Sequence, residues 1–426
     1  MFTRLFESLA ATEELSRVFA DDSVLQAMLD FEAALARAEA RCGVIPATAA
    51  TKITESAQAR GFDKNELTRL SLRAGTPAIP LVRMLKTKVE AGDADAGGFV
   101  HWGATSQDVV DTAMVLLLRQ CRDILDRDRK RVLAALRRLS DEHAETVMLA
   151  RTLLQPAPPV TFGLKSAGWY AGVHRGWQRV SSRFDEALCL QFGGASGTLA
   201  AFGDQGLEVS EALASELGLT LPDGPWHGYR DRLAALMAAL SIFTATLGKV
   251  ALDIALLMQF EVGEAAEPGG DGRGGSSSMP HKRNPTACVL TLAAAKRVPG
   301  LLADFVSAMV QEHERAAGGW QAEWPLVHGI VQSAGVALES MVEVLEGLIV
   351  DRDRMRSNIE STNGAVFAEK AVNVLSPELG NVAAREKVDE ALRKTGGLQD
   401  LAGVNKPEEY LGSAEAFRRR LLEGGS

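Results

Sequence analysis

The strongest constraint on the fold is uninterrupted helical periodicity. From Arg230 to Ala265, roughly 35 residues run without a proline, and Gly248 and Gly263 are the only glycines. Leu233, Leu236, Met237, Leu240, Phe243, Leu247, Val250, Ile254, Leu257 and Met258 recur at spacings that put them on a helical face. A helix of this length is long for a globular domain and normal for a bundle. Its apolar face is wide and rich in small residues (Ala234, Ala235, Ala238, Ala239), so it needs neighbours on several sides. Gln321 to Ile349 repeats the design through Val327, Ile330, Val331, Ala334, Leu338, Met341, Val342, Leu345 and Leu348. A third rod follows Asp108 through Val109, Ala113, Leu116, Leu117, Ile124, Val132 and Leu136. Three such rods predict an all-α long-helix bundle flanked by smaller helical domains.

The rest of the chain fits around them. Asp21, Asp22 and Ser23 are N-cap candidates for a helix whose apolar residues (Val24, Met28, Phe31, Leu35, Ala38) run to a stop at Gly43. Pro46 to Ala96 reads as short helices and loops, broken at Gly75-Thr76-Pro77 and Pro80. Arg151 to Pro156 reads as a polar loop before a helical stretch from Phe162 to Arg179. Gly193 to Thr198 lacks the lysine of a phosphate-binding loop and follows no strand, so it reads as a turn. Beyond Arg352, short helical patterns around Asn363-Gly364 suggest a cap. The expected division is an N-terminal helical domain over 1–106, a central bundle over 107–350 with a loop at 269–285, and a C-terminal helical cap over 351–426.

Composition narrows the function classes. The 426 residues are 46% hydrophobic, 24% charged and 6% aromatic, ample for a core. The net charge of -9 carries no basic bias, so nucleic acid is not an expected partner. Cys42, Cys121, Cys189 and Cys288 stand singly, which points to reduced thiols and neither a disulfide framework nor a zinc site. The first residues lack an apolar signal region, and runs such as Met114 to Leu118 are too short to cross a bilayer. A cytoplasmic protein with no membrane partner is expected.

The segment Gly274-Gly275-Ser276-Ser277-Ser278-Met279-Pro280-His281-Lys282-Arg283-Asn284-Pro285 gathers glycines, hydroxyls, two cations and an amide. Glycines let backbone N–H groups approach a ligand, and lysine adds a point charge, so the segment is suited to an anion. A flexible linker is the plain alternative, but it has no use for Met-Pro-His-Lys-Arg-Asn-Pro. His101-Trp102-Gly103-Ala104-Thr105-Ser106-Gln107-Asp108 is a second polar loop, running into a helix that Thr105 or Ser106 can cap. Free N–H groups there would attract a carboxylate, although capping alone explains the same residues.

The Gly274–Pro285 segment resembles the signature of the fumarase/aspartase superfamily, whose members make or break a bond beside a carboxylate. Motif order and chain length agree with that family along nearly the whole chain. The resemblance implies that Ser276, or alternatively Ser277, exchanges a proton on the carbon next to a carboxylate, with Lys282 and Asn284 holding that carboxylate. It further implies that Thr105 and Ser106 bind carboxylate, that Gln155 and Arg315 orient the substrate, and that His101 and His281 belong to the substrate-binding loops. No metal or cofactor is expected. The family also implies a homotetramer whose active sites draw loops from three chains.

Two departures indicate which chemistry to expect. Leu153 stands in the Thr152–Gln155 frame where fumarases and adenylosuccinate lyases have a histidine, and Val289 stands where they have its glutamate partner. Both halves of the group that serves a poor leaving group are missing. A carboxylate, with a pKa near 4, needs no such help to leave or to attack. The pattern therefore resembles the cycloisomerase branch, in which a carboxylate of 3-carboxy-cis,cis-muconate adds to a double bond of the same molecule and closes a lactone. Glu312 to Trp324 and Pro225-Trp226-His227 agree with that branch, while Gly228-Tyr229 departs from it. The alternative is another β-elimination lyase for a small dicarboxylate with a good leaving group. A structural protein that has lost its site is a third class, and the retained Ser276, Lys282 and Asn284 argue against it. His143, His174 and His328 fall singly in helical patterns and read as surface or core residues; His227 and His313 are not assigned as acids.

Overall fold

The structure is a computed structural model that describes residues 5–270, 274, 275, 279, 282–398 and 406–424. Its long helices are Asp21–Arg41, Ser106–Glu142, Phe162–Ala187, Asp231–Leu257, Thr286–Ala308 and Gly319–Glu346. The three rods expected from periodicity are present, and the architecture is all-α. Asp231–Leu257 ends earlier than its sequence pattern suggests. Gly263, at φ +61°, turns the chain, and the Glu264 N–H closes on the Leu257 carbonyl at 2.9 Å. Thr286–Ala308 was not legible as a helix because Pro299 lies inside it.

The chain divides into two compact units, each drawn from three segments: Met1–Arg127, Gln178–Thr244 and Ala294–Val336 in the first, and Asp128–Trp177, Ala245–Ala293 and Ala337–Ser426 in the second. In the first, Phe31, Leu35, Val109, Leu116, Leu236, Phe243, Ile330 and Val331 are buried core residues. The helix Asp21–Arg41 begins after Ala20, which makes no side-chain cap. Asp21 and Asp22 therefore sit in its first turn, where their charge meets the positive end of the helix, and do not cap it as expected. Ala47–Ser56, Lys64–Ala74 and Ala78–Glu90 are the short helices read between Pro46 and Ala96, but Pro80, expected as a break, lies in the first turn of the last, where a proline costs no helical hydrogen bond.

The second unit contains a feature that periodicity missed. Val147–Thr152 and Gln155–Thr161 form an antiparallel hairpin, where a loop was expected. Its second strand contains Pro156, Pro158 and Pro159, residues that argue against a strand unless it lies at an edge. Leu153 and Leu154 form the tip with φ +50° and +66°, and both are exposed. Val147 and Leu149 pack with Ile359, Phe367, Ala371, Val388 and Leu398, so the hairpin shares a core with the C-terminal helices. Ala265–Ala266 and Ile349–Val350 form a second small antiparallel pair.

Asp231–Leu257 and Thr286–Ala308 are both long and apolar enough to cross a bilayer, and the apolar window is 67% buried in the first but 28% buried in the second. The first thus reads as a core helix, and the second leaves apolar surface uncovered.

The same helix that begins at Asp21 buries two acids, Glu32 and Glu39, seven residues apart. Glu39 is fully buried, and neither carboxylate oxygen has a hydrogen-bond partner among the described residues. Burial, then the charge of Glu32, push its carboxyl up to about 9 from an ordinary 4.5. Below about 4.5 both folded and unfolded chains hold this proton. As pH rises toward 9 only the unfolded chain loses it, and stability falls over that window. Replacing Glu39 with Met should raise the melting temperature, more at pH 8 than at pH 4.5; an equal gain at both would contradict a buried, protonated Glu39.

Candidate active site

In the first unit, one carboxylate organises the polar loops. Asp108 occupies the first turn of Ser106–Glu142 and is fully buried. Its Oδ2 accepts the Thr105 N–H at 3.0 Å, the backward half of a capping box. It also accepts the N–H groups of Gly193 (3.1 Å) and Gly194 (2.9 Å) and the Gln191 amide (3.2 Å), and His227 Nε2 lies 2.7 Å from Oδ1. The Gly193–Thr198 turn is therefore a backbone nest whose anion is the protein's own Asp108. Gly194 has φ +69°, and a Cβ there would stand 2.7 Å from the Gly103 carbonyl oxygen, so only glycine lets the two loops meet.

Three expected binding residues gather on this frame. Arg315 donates from Nη1 to Thr105 Oγ1 at 2.8 Å and from Nη2 to the Ala195 carbonyl at 3.2 Å. The Thr105 hydroxyl thus faces arginine, and Ser106 opens the helix, where the first N–H groups attract anions. The Arg315 Nε is buried without a hydrogen-bond partner among the described residues. Next to them, His101 holds Glu32 Oε1 through Nδ1 at 2.6 Å, with its backbone at φ +62°.

A second buried cluster anchors the segment that presents Arg315. Arg230 bonds Asp111 through Nη1 and Nη2 (2.7 and 3.0 Å) and Glu323 through Nη2 at 2.7 Å and Nε at 3.0 Å. Trp320 Nε1 donates to Asp111 at 2.9 Å, Gln311 donates to Glu323 at 2.8 Å, and the guanidinium lies over the Trp226 ring. Helices and loop are tied on both sides of Arg315.

In the second unit, Ser276, Ser277 and His281 lie outside the described residues. The flanks of their segment are described. The Asn284 N–H donates to the Gly274 carbonyl at 2.9 Å, and a Cβ on Gly274 (φ +62°) would stand 2.8 Å from the Asn284 carbonyl oxygen. Glycine is thus required for the loop to close on itself. Lys282 is exposed and its N–H bonds the Met279 carbonyl, while Asn284 is half-buried. The following helix is capped by Glu267, whose carboxylate accepts the Ala287 and Cys288 N–H groups at 3.2 and 2.8 Å. Gln155 opens the second hairpin strand, paired with Thr152 and exposed. Near its tip the hairpin is fixed by Arg151, bound to both oxygens of the buried Glu264 (2.9 and 2.7 Å), which also accepts from Asn358 at 2.7 Å.

Thus His101, Thr105, Ser106 and Arg315 lie in the first unit, and Gln155, Lys282 and Asn284 in the second. Sequence reading missed the acids that hold these groups: Glu32, Asp108, Glu264 and Glu267. Two left a signal. Thr105-x-x-Asp108 has capping-box spacing, and Glu32 interrupts an apolar stripe between Phe31 and Leu35.

Arg230→Met would leave Asp111 and Glu323 buried without their countercharge. It should destabilise the fold by about 3–5 kcal/mol in urea denaturation. The exposed Arg17–Glu13 pair provides the control, since Arg17→Met should hardly move the midpoint.

Comparison with known proteins agrees with this architecture. A 3-carboxy-cis,cis-muconate cycloisomerase of Pseudomonas aeruginosa is 47% identical over 98% of this chain and 96% of its own length. A nitrosuccinate lyase of Streptomyces davaonensis is 40% identical over 89% of this chain and 82% of its own. The crystal structure of 3-carboxy-cis,cis-muconate lactonizing enzyme from Pseudomonas putida superposes with a TM-score of 0.92 at 39% identity, covering 99% of this chain and 98% of that one. The family model described as lyase matches residues 8–300, and the chain belongs to that lyase family.

Proposed function

We propose that the protein is a cycloisomerase that interconverts 3-carboxy-cis,cis-muconate and its lactone in the breakdown of aromatic acids. The observation that carries this reading is the joint replacement of an acid–base pair by Leu153 and Val289, both exposed, in a chain that keeps its carboxylate-binding groups. A hydroxide or amine leaving group needs protonation, and a carboxylate does not. The likeness to the Pseudomonas cycloisomerases supports the same substrate.

In the lactone-forming direction, a substrate carboxylate oxygen forms the new C–O bond at one end of a conjugated double bond. The electron pair moves to the carbon beside another carboxylate, and Ser276, or alternatively Ser277, returns a proton to that carbon. The serine regains its proton from solvent, so one proton is taken up as the lactone forms. Lys282 and Asn284 hold the carboxylate on which charge develops, where fixed donors matter most. Thr105 and Ser106 bind a second carboxylate. Arg315 and Gln155 orient the substrate, and His101 and His281 line its loops. The likeness to a nitrosuccinate lyase supports a second reading, elimination of another good leaving group from a small dicarboxylate by the same serine loop.

The assembly in this proposal is a homotetramer with shared active sites. The uncovered apolar surface of Thr286–Ala308, the exposed Leu252 and Val306, and the exposed leucines of the hairpin tip support it. Apolar surface of this kind is normally covered by another chain. A water-soluble tricarboxylate substrate fits a cytoplasmic enzyme.

An ultraviolet assay following loss of the conjugated diene should show rapid turnover of 3-carboxy-cis,cis-muconate and none of fumarate or adenylosuccinate. Ser276→Ala should lower kcat by about 10²–10⁴-fold. Wild-type turnover by that variant would rule the serine out, and inertness of the wild type toward the muconate would leave the elimination reading. Light scattering should give about four times the 45.5 kDa chain mass, and Leu252→Asp with Val306→Asp should lower it.

A further inference from the structure

His101 does more than line a loop, because of what stands behind it. Glu32 is 1% exposed and its Oε1 lies 2.6 Å from His101 Nδ1, while its Oε2 has no hydrogen-bond partner among the described residues. The imidazole side chain is 18% exposed, so it bridges a buried acid and the outer face of the Thr105–Ser106 loop. It does so from a left-handed backbone (φ +62°), a conformation that costs energy in a non-glycine residue and persists where the surroundings enforce it. A lone carboxylate at this depth would be expelled or neutralised; a hydrogen-bonded cation lets it stay ionised.

We infer that Glu32 is a positioning residue for the reaction: it locks the His101 ring through Nδ1 and keeps it cationic, so that the remaining N–H serves a substrate carboxylate. This rests on the cycloisomerase reading for the identity of the substrate. The surrounding charges agree with it. Glu39, on the same helix as Glu32, is pushed up to about 9 by burial and so adds no negative charge here at neutral pH. Asp108 adds a second negative charge but its oxygens are taken by backbone N–H groups, Gln191 and His227. The Arg315 head is bound to Thr105 and two loop carbonyls. Burial pulls the His101 imidazolium down, but the Glu32 charge, its hydrogen bond and the Asp108 charge outweigh this and hold the ring above its ordinary value. A neutral imidazole could accept at one nitrogen only; the imidazolium donates from both. The second donor makes a charge-assisted bond to a carboxylate.

The test uses the full chain. In Glu32→Gln, KM for 3-carboxy-cis,cis-muconate should rise about tenfold at pH 8 and return toward the wild-type value at pH 5.5, where the ring protonates unaided, with kcat changed little. The His101 resonance, assigned by its loss in His101→Gln, should titrate at lower pH in Glu32→Gln than in the wild type. His101→Gln should raise KM at pH 8 with no recovery at pH 5.5. A KM penalty that is the same at every pH would show Glu32 to be structural only, and an unchanged KM in His101→Gln would overturn the inference even if Glu32→Gln failed to fold. Wild-type inertness toward the muconate would fall on the substrate reading instead, with the His101 titration still deciding whether Glu32 sets the charge.

Discussion

The first unit depends on the Asp108 carboxylate. A buried charge is tolerated only when hydrogen bonds replace the water it has lost, and Asp108 has five such partners from three chain segments: the 101–105 loop, the 191–194 turn, and His227 beyond it. Because each partner would itself be orphaned without the carboxylate, the loops are fixed jointly. Thr105, Gly194 and Ala195, whose oxygens Arg315 bonds, therefore converge on one guanidinium.

The same device recurs. Asp111 and Glu323 neutralise Arg230, Glu264 neutralises Arg151, and Glu267 caps the helix that follows the signature segment. Asp111, Glu323 and Glu264 are buried and Glu267 is half-buried, and each acid fixes the geometry of a neighbouring loop or helix start. Buried ion pairs give little net stability, since desolvation offsets their attraction, but breaking one strands its partner. Their value is in holding loops at distances that carboxylate recognition requires, a task apolar packing between loops does poorly.

Glu39 is the exception, its carboxyl having no hydrogen-bond partner among the described residues. Two ionised carboxylates cannot share one helix face in a buried setting, so one must hold its proton. Glu39 is the acid pushed up, while Glu32 has a hydrogen-bond partner in His101. An acid that lowers stability at neutral pH thus lies seven residues from one that serves the candidate site.

Much was legible in the sequence because it depends on local spacing. Helical periodicity located the rods, and a dozen residues from Gly274 to Pro285 carried the resemblance that the lyase family match bears out. Turn chemistry read Gly193–Thr198 as a turn, and the structure has a turn there whose N–H groups hold Asp108. The hairpin was missed because its prolines oppose strand formation, and Thr286–Ala308 because Pro299 opposes a helix; in both, packing overrides local preference. The sequence by itself determined the fold class and which residue types the loops present, since both follow from period and composition over neighbouring positions. Only the tertiary structure decided which acid faces which base: Glu32 meets His101 across 69 positions, Asp108 meets His227 across 119, and Thr105 meets Arg315 across 210. Those pairings arise from the desolvation of charges brought together by the bundle, a cost that no run of adjacent residues records.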